Sequence, residues 1–383
     1  MANASINLGN GNWSVKESKL LGSRPIKDKI APIEFDVTRA STATRVNKQG
    51  LIETVNSNIA RIDYSNNAKG ALLLEPQSTN LINYSELFSD ASWTKQSGII
   101  PTYNTMETLS PDGTYNATKF IGDGAAGVYK AGNTVSGAIA RTVYLKSVTG
   151  TTTAIFKDPN AGGAGVVNLT ITNEWKRFEL IGSNGSSSQG LWIDNITSDG
   201  LYMWGAQLEQ NSYATSYIPT LTGTAQTRVA ETCGGAGDAS SINSEEGVLY
   251  AETATLANDG IRQISLSSGS NSNRVAISYN TNGRLDANVI SGGGFQAIFN
   301  YTGVVNPNTQ NKIALKYKLN DFALWVNGVE VANDSSGITP IGLSVLNLSS
   351  AGIASEIFYG NTKDLRVYNT ALTDSELQAL TTL

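Results

Sequence analysis

The sequence predicts a mainly β protein: two β-sandwich or jelly-roll domains preceded by an irregular N-terminal segment. Three observations point there. Short runs of β-branched and aromatic residues, such as RTVYLK at Arg141–Lys146 and LWIDNI at Leu191–Ile196, alternate with clusters of Gly, Asn, Ser, Asp and Pro. The runs recur every 8–12 residues or about that, the spacing of sandwiches and jelly rolls. Glycine, 38 of 383 residues, supplies turns throughout, and one stretch alone carries a helix signature.

Residues 1–80 show little continuous periodicity and are expected to be irregular. Arg39, Arg45 and Arg61 lie near Asp36, Glu53 and Asp63 in sequence. Arginines bonded to carboxylates or carbonyls hold such a segment together, which suits wrapping against other chains. Residues 81–222 form the first β unit. Residues 223–244 include CGGAGDASS at Cys233–Ser241 and read as a small, flexible linker, with Cys233 incidental. Residues 245–383 form the second β unit, where Asn282-Gly283 and Asn327-Gly328 mark hairpin turns. Thr373 with Glu376 makes a capping box ahead of LQAL, a helix of one or two turns.

Composition narrows the chemistry. The chain has no His and one Cys. That excludes Ser-His-Asp and Cys-His nucleophiles, His metal ligands and an internal disulfide. It also leaves no side chain whose ordinary pKa falls between about 5 and 8, so surface attachment is expected to vary little over that range. A net charge of −5 argues against a nucleic-acid partner. No apolar run reaches the 18 or so residues of a membrane span, so no membrane insertion is expected. The opening MANASINLGNGNW lacks a basic and an apolar region, so no signal peptide is expected and the chain is made in a cytoplasm.

Catalytic carboxylates are sought as a pair about 5–10 Å apart. Glu245 and Glu246 are adjacent, Glu174 and Glu179 fall on opposite faces of a regular strand, and a turn separates Glu356 from Asp364. The chain is therefore expected not to be an enzyme, with no catalytic residues. Aromatic rings are the better candidates, as platforms for the apolar face of a sugar. Alternation sets Trp192 opposite Leu191 and Ile193, and Tyr144 opposite Val143 and Leu145; Tyr129 lies in the Gly-rich GAAGVYKAG. Tyr129, Tyr144 and Trp192 are thus the candidate carbohydrate contacts, or else rings buried between subunits. Trp13, Trp93, Trp175 and Trp325 are expected to anchor cores or interfaces. No cofactor is expected; Asp158-Pro159-Asn160 and Asp194–Asp199 offer loop oxygens for a structural Ca2+, and the metal site is unknown.

The succession NLGNGNWSVKESKLLG (Asn7–Gly22), FDVTRASTATRVNKQGLI (Phe35–Ile52), RIDY (Arg61–Tyr64) and LLLEPQSTNLI (Leu72–Ile82) resembles phage virion appendage proteins: tail fibres, head fibres and receptor-binding adhesins. The next block is similar to a carbohydrate-binding-module-like jelly roll at Phe88 with Trp93, WKRF (Trp175–Phe178), WGAQLE (Trp204–Glu209) and SYIPT (Ser216–Thr220). The last resembles a laminin-G/concanavalin A-like lectin domain at LWVNGV (Leu324–Val329) and KDLRVYNTALTDSEL (Lys363–Leu377). The resemblance implies a virion location, a homotrimer, contact with other virion proteins through residues 1–80, and contact with host surface glycans. A purely structural or decorative virion role and a polysaccharide depolymerase are the alternatives.

Overall fold

Strand Lys29–Thr38 buries alternate side chains: Ile33, Phe35 and Val37 point inward, while Glu34, Asp36 and Thr38 face out. The computed structural model describes residues 3–27, 29–65, 67–158, 165–184, 189–281, 283–303, 308–351 and 356–383. The protein is β-sheet almost throughout, with one helix at Asp374–Thr381 among the described residues. It divides into two units. The first comprises Met1–Ala40, Val55–Pro76 and Ala230–Leu383; the second comprises Ser41–Thr54 and Gln77–Val229.

In the first unit, a large sheet runs in the spatial order Thr232–Gly234, Lys29–Thr38, Lys19–Ile26, Ile6–Gly9, Gly360–Tyr368, Glu246–Thr255, Asn311–Lys318, Phe322–Val326 and Val329–Asp334. A five-stranded sheet of Gly294–Tyr301, Leu285–Ser291, Arg274–Tyr279, Arg262–Ser267 and Val345–Asn347 supplies the other layer. Leu249, Leu315 and Leu365 of the large sheet share one core with Ile264, Leu266 and Val275 of the smaller. The outer face of the large sheet buries Tyr250 and Trp325 with Leu377 and Leu380 of the helix. The capping box forms as expected: Glu376 N donates to Thr373 Oγ1, and Thr373 N donates to a Glu376 carboxylate oxygen at 3.1 Å. The Asn327-Gly328 turn is also as expected, with φ of +50° and +86° linking Val326 to its partner Val329. Asn282 lies outside the described residues.

Two expectations need correction. The N-terminal block is not irregular: Ile6–Gly9 pairs with Gly360–Tyr368 through Ile6↔Val367 and Leu8↔Leu365. Ile6, Leu8, Leu20, Phe35 and Val37 are all buried in the core of the first unit. Five such side chains contribute about 10 kcal/mol of burial free energy before entropy, comparable with the net stability of a whole domain. They cannot belong to an arm wrapped on other chains. Residues 223–244 are likewise not a free linker. Gln226–Arg228 pairs with Ser78–Asn80, Thr232–Gly234 pairs with Lys29–Thr38, and Cys233 is buried, its thiol pushed far up by loss of solvent.

The expected N-terminal arginines do hold the chain, largely through partners distant in sequence. Arg45 pairs with Glu53 at 2.6 Å, as its spacing suggests. Arg39 instead donates to Glu231 at 2.5 Å and to the carbonyls of Val55, Asn56 and Ile59. Arg61 donates to both Glu231 oxygens and pairs with Glu75 at 2.8 Å. All four charged side chains are at most 2% exposed.

The second unit packs two five-stranded sheets face to face. One runs Thr94–Lys95, Val128–Asn133, Gln189–Asp194, Thr152–Lys157 and Val166–Ile171; the other runs Ile100–Thr102, Thr118–Ile121, Leu201–Glu209, Gly137–Ser147 and Lys176–Asn184. Phe88, Trp93, Phe120, Val128, Val143, Phe156, Ile193 and Met203 fill the space between. Trp93 anchors this core, its indole N–H donating to Tyr84 O at 2.9 Å.

Removing one partner of a buried ion network strands the others without compensation. Glu231→Gln should therefore lower the unfolding free energy by about 3–5 kcal/mol in guanidinium titrations. Glu246→Gln, which breaks a solvent-exposed pair with Lys318, should change it by less than about 1 kcal/mol. Equal losses in the two variants would refute the role assigned to Glu231.

Candidate ligand-binding face

On the first sheet of the second unit, Val128, Ile193 and Phe156 align across three strands and face the core. The neighbouring positions therefore face outward, and there Tyr129, Trp192 and Lys157 form a cross-strand row. The Tyr129 and Trp192 rings lie 5.0 Å apart, tilted by 42°. Lys157 Nζ sits 3.7 Å from the Trp192 ring centroid, a cation–π contact, and pairs with Asp194 at 2.5 Å. Trp192 is thus flanked by Tyr129 on one strand and Lys157 on the other. Gly127 makes this packing possible: a Cβ there would fall 2.7 Å from Trp192 Nε1 and 2.4 Å from Ile193 O.

Trp192 Nε1 and Asp194 Oδ1 are buried and accept or donate no hydrogen bond within the protein. One is a donor without an acceptor and the other an acceptor without a donor. With Lys157 and Asp194 neutralising each other, the face offers rings, one ammonium and one carboxylate with little net charge. That combination suits an uncharged, hydroxyl-rich ligand.

The sequence named Tyr129, Tyr144 and Trp192 together; the structure joins only Tyr129 and Trp192. Tyr144 does face away from Val143 and Leu145, on the other sheet. It is not an open platform. Its ring packs on Trp204 at 5.5 Å and Tyr217 at 6.4 Å, and Ile52 and Val46 close over the same cluster. This covering comes from residues 41–54, far from Tyr144 in sequence, which is why strand alternation alone could not reveal it.

Three of the acidic residues named from sequence have separate partners. Glu179 accepts from Ala214 N, Glu246 pairs with Lys318, and Asp364 pairs with Arg366. Two of the oxygens suggested for calcium are engaged by cationic side chains. Asp158 already binds the Arg141 guanidinium and Asp194 the Lys157 ammonium, while residues 159 and 160 lie outside the described residues. Among the described residues no group of three or more acidic or Cys side chains converges.

Sequence reasoning missed Glu86. Its carboxylate accepts from Tyr217 Oη at 2.9 Å and Asn116 Nδ2 at 2.8 Å, and Asn116 Nδ2 also donates to Asp112 at 3.3 Å. Burial pushes Glu86 up to about 7, and nearby Asp112 adds to the rise. Lys130, also buried, is pushed down to about 8 by desolvation and donates to Ser92 Oγ. No local signal marks either residue, because the groups that shift them come from separate stretches of chain. The protein without histidine nevertheless has a group that titrates near neutrality.

Residues 252–378, which lie in the first unit, match the model of the concanavalin A-like lectin/glucanases superfamily. A search of curated proteins gave no match. Among solved structures, the CBM40 of the Ruminococcus gnavus IT-sialidase is 20% identical, over 39% of this chain and 93% of that one, with a TM-score of 0.33. The tandem CBM22-1–CBM22-2 of Paenibacillus barcinonensis Xyn10C is 10% identical over 78% and 99% of the two chains, with a TM-score of 0.27. Mouse laminin α1 domains LG4–5 are 9% identical over 74% and 94%, with a TM-score of 0.25.

A carboxyl raised from 4.5 to about 7 keeps its proton in the folded state where the unfolded chain has lost it. Its contribution is favourable below about pH 4.5 and is lost as pH rises to 7, a change of about 3 kcal/mol. Thermal melts of wild type should show the second unit weakening over that interval. In Glu86→Gln this component should disappear, and an unchanged pH slope in the variant would exclude Glu86 as its source.

Proposed function

We propose that the protein is a non-enzymatic phage fibre or spike subunit that contacts host surface glycans. The observation that carries the glycan reading is the outward row of Tyr129, Trp192 and Lys157. The lectin-class match at residues 252–378 supports it. Resemblance of the N-terminal motifs to virion appendage proteins supports the phage setting, with a homotrimer as the assembly. Residues 1–80 then meet other virion proteins as a folded surface, since their apolar side chains are in the core. Low charge suits this role: many weak, uncharged contacts gain strength through copy number.

A second reading, glycoside hydrolysis, is favoured by Glu86 held near pH 7 and linked through Asn116 to Asp112. Release of reducing ends from host polysaccharide, abolished by Glu86→Gln and by Asp112→Asn, would establish it. Binding without release leaves the first reading in place.

Purified protein should bind a subset of a glycan array and block adsorption of the phage to its host. Tyr129→Ala and Trp192→Ala should each weaken binding about tenfold, or about 1.4 kcal/mol. Because the face is nearly neutral, affinity should move less than about twofold between 0.05 and 0.5 M salt. Unaltered glycan binding in both variants would remove this face from the account.

A further inference from the structure

The first unit holds a second place with the same chemistry. Strands Ile6–Gly9, Ser14–Lys16, Lys19–Ile26 and Lys29–Thr38 border a cleft of about 520 Å3. That volume falls within the size range of small-molecule sites. Trp13 forms one wall. It is half-buried, and its indole N–H is fixed on Lys69 O at 2.8 Å, so the ring is held rather than free to turn. Asn7, Asn12, Ser14 and Ser23 contribute amides and hydroxyls. The Asn7 side-chain amide donates a long bond, 3.4 Å, to Ala4 O. Asn12 and Ser14 are exposed, Ser23 is half-buried, and Asn12 is used only through its backbone N–H, to Gly9 O.

Gly9 lets the Trp13 ring lie close against the first strand. A Cβ on Gly9, at φ +95°, would lie 2.9 Å from Trp13 Cη2. Among the described residues no ionisable side chain lines the cleft. Leu21, Ile30, Ala31 and Pro32 complete the lining, so apolar and polar groups are mixed around the indole. Here a fixed indole stands beside uncommitted amides and hydroxyls, the complement of a ring with one apolar face and a rim of hydroxyls.

We propose that this cleft is a second glycan site, for a neutral hexose or N-acetylhexosamine unit, centred on Trp13, Asn12 and Ser23. The choice of ligand class rests on the glycan-binding reading above; the site itself is independent of the Tyr129–Trp192 face. Two sites on one chain would raise avidity for a polysaccharide without any new contact at either.

The full chain labelled with 5-fluorotryptophan gives one 19F line for each of its six Trp residues. Trp13→Phe and Trp192→Phe assign the two lines of interest. Methyl α-glucoside, methyl β-galactoside and N-acetylglucosamine are the probes. The Trp13 line should shift saturably with at least one of them, should do so equally in Trp192→Ala, and should need at least about tenfold more sugar in an Asn12→Ala/Ser23→Ala variant. Movement of the Trp192 line alone would overturn the cleft and leave the other face standing. Silence of both lines would overturn both. A Trp13 line that moves with protein concentration and not with sugar would make the cleft a contact between copies, and would also overturn the proposal.

Discussion

Glu231 holds two guanidiniums on one carboxylate, and much of the first unit depends on that arrangement. With Glu75 the network is balanced, two positive charges against two negative, and nearly sealed from water. Its members stand where the backbone passes between the two units: Arg39 just before Ser41, the Val55 and Asn56 carbonyls just after Thr54, Glu75 just before Gln77, and Glu231 just after Val229. Each point where the chain leaves or re-enters the first unit is thereby tied to the others. A buried ion network is a poor source of net stability and a strong source of uniqueness, because any misplacement leaves a charge unpaired in a dry setting. Here it fixes where two excursions of the chain begin and end.

The periodic parts of the fold were legible in the sequence because they depend on neighbours a few residues away. Alternation placed Val143 and Leu145 inward with Tyr144 outward, and Leu191 and Ile193 inward with Trp192 outward. The Thr373–Glu376 cap and the Asn327-Gly328 turn are local, and both stand where the sequence put them. What escaped was long-range. Nothing near Ile6 announces that its partner is Val367, and nothing near Arg61 announces Glu231. A block with short strands interrupted by turns looks irregular until the strand it pairs with is known.

The candidate face shows the same division. The outward setting of Trp192 could be read from its neighbours, but its enclosure between Tyr129 and Lys157 could not. Glu86 is the sharper case. Absence of histidine suggested a surface indifferent to pH, yet burial moves an ordinary carboxyl into the neutral range. Composition reports which titrating groups exist, and packing decides where they titrate.

The pairing of Ile6–Gly9 with Gly360–Tyr368 brings the earliest described strand against one of the latest. During synthesis the first strand therefore waits, its apolar side chains without their partner, until some 350 further residues have left the ribosome. The second unit, drawn from residues 41–229, has all its strands much sooner. Assembly is then ordered in time: the second unit has its strands first, and the first unit completes its large sheet once Gly360–Tyr368 is made, a late step of high contact order. An interrupted translation product would carry a finished second unit and an unfinished first, with the strands of its N-terminal block still exposed to proteases.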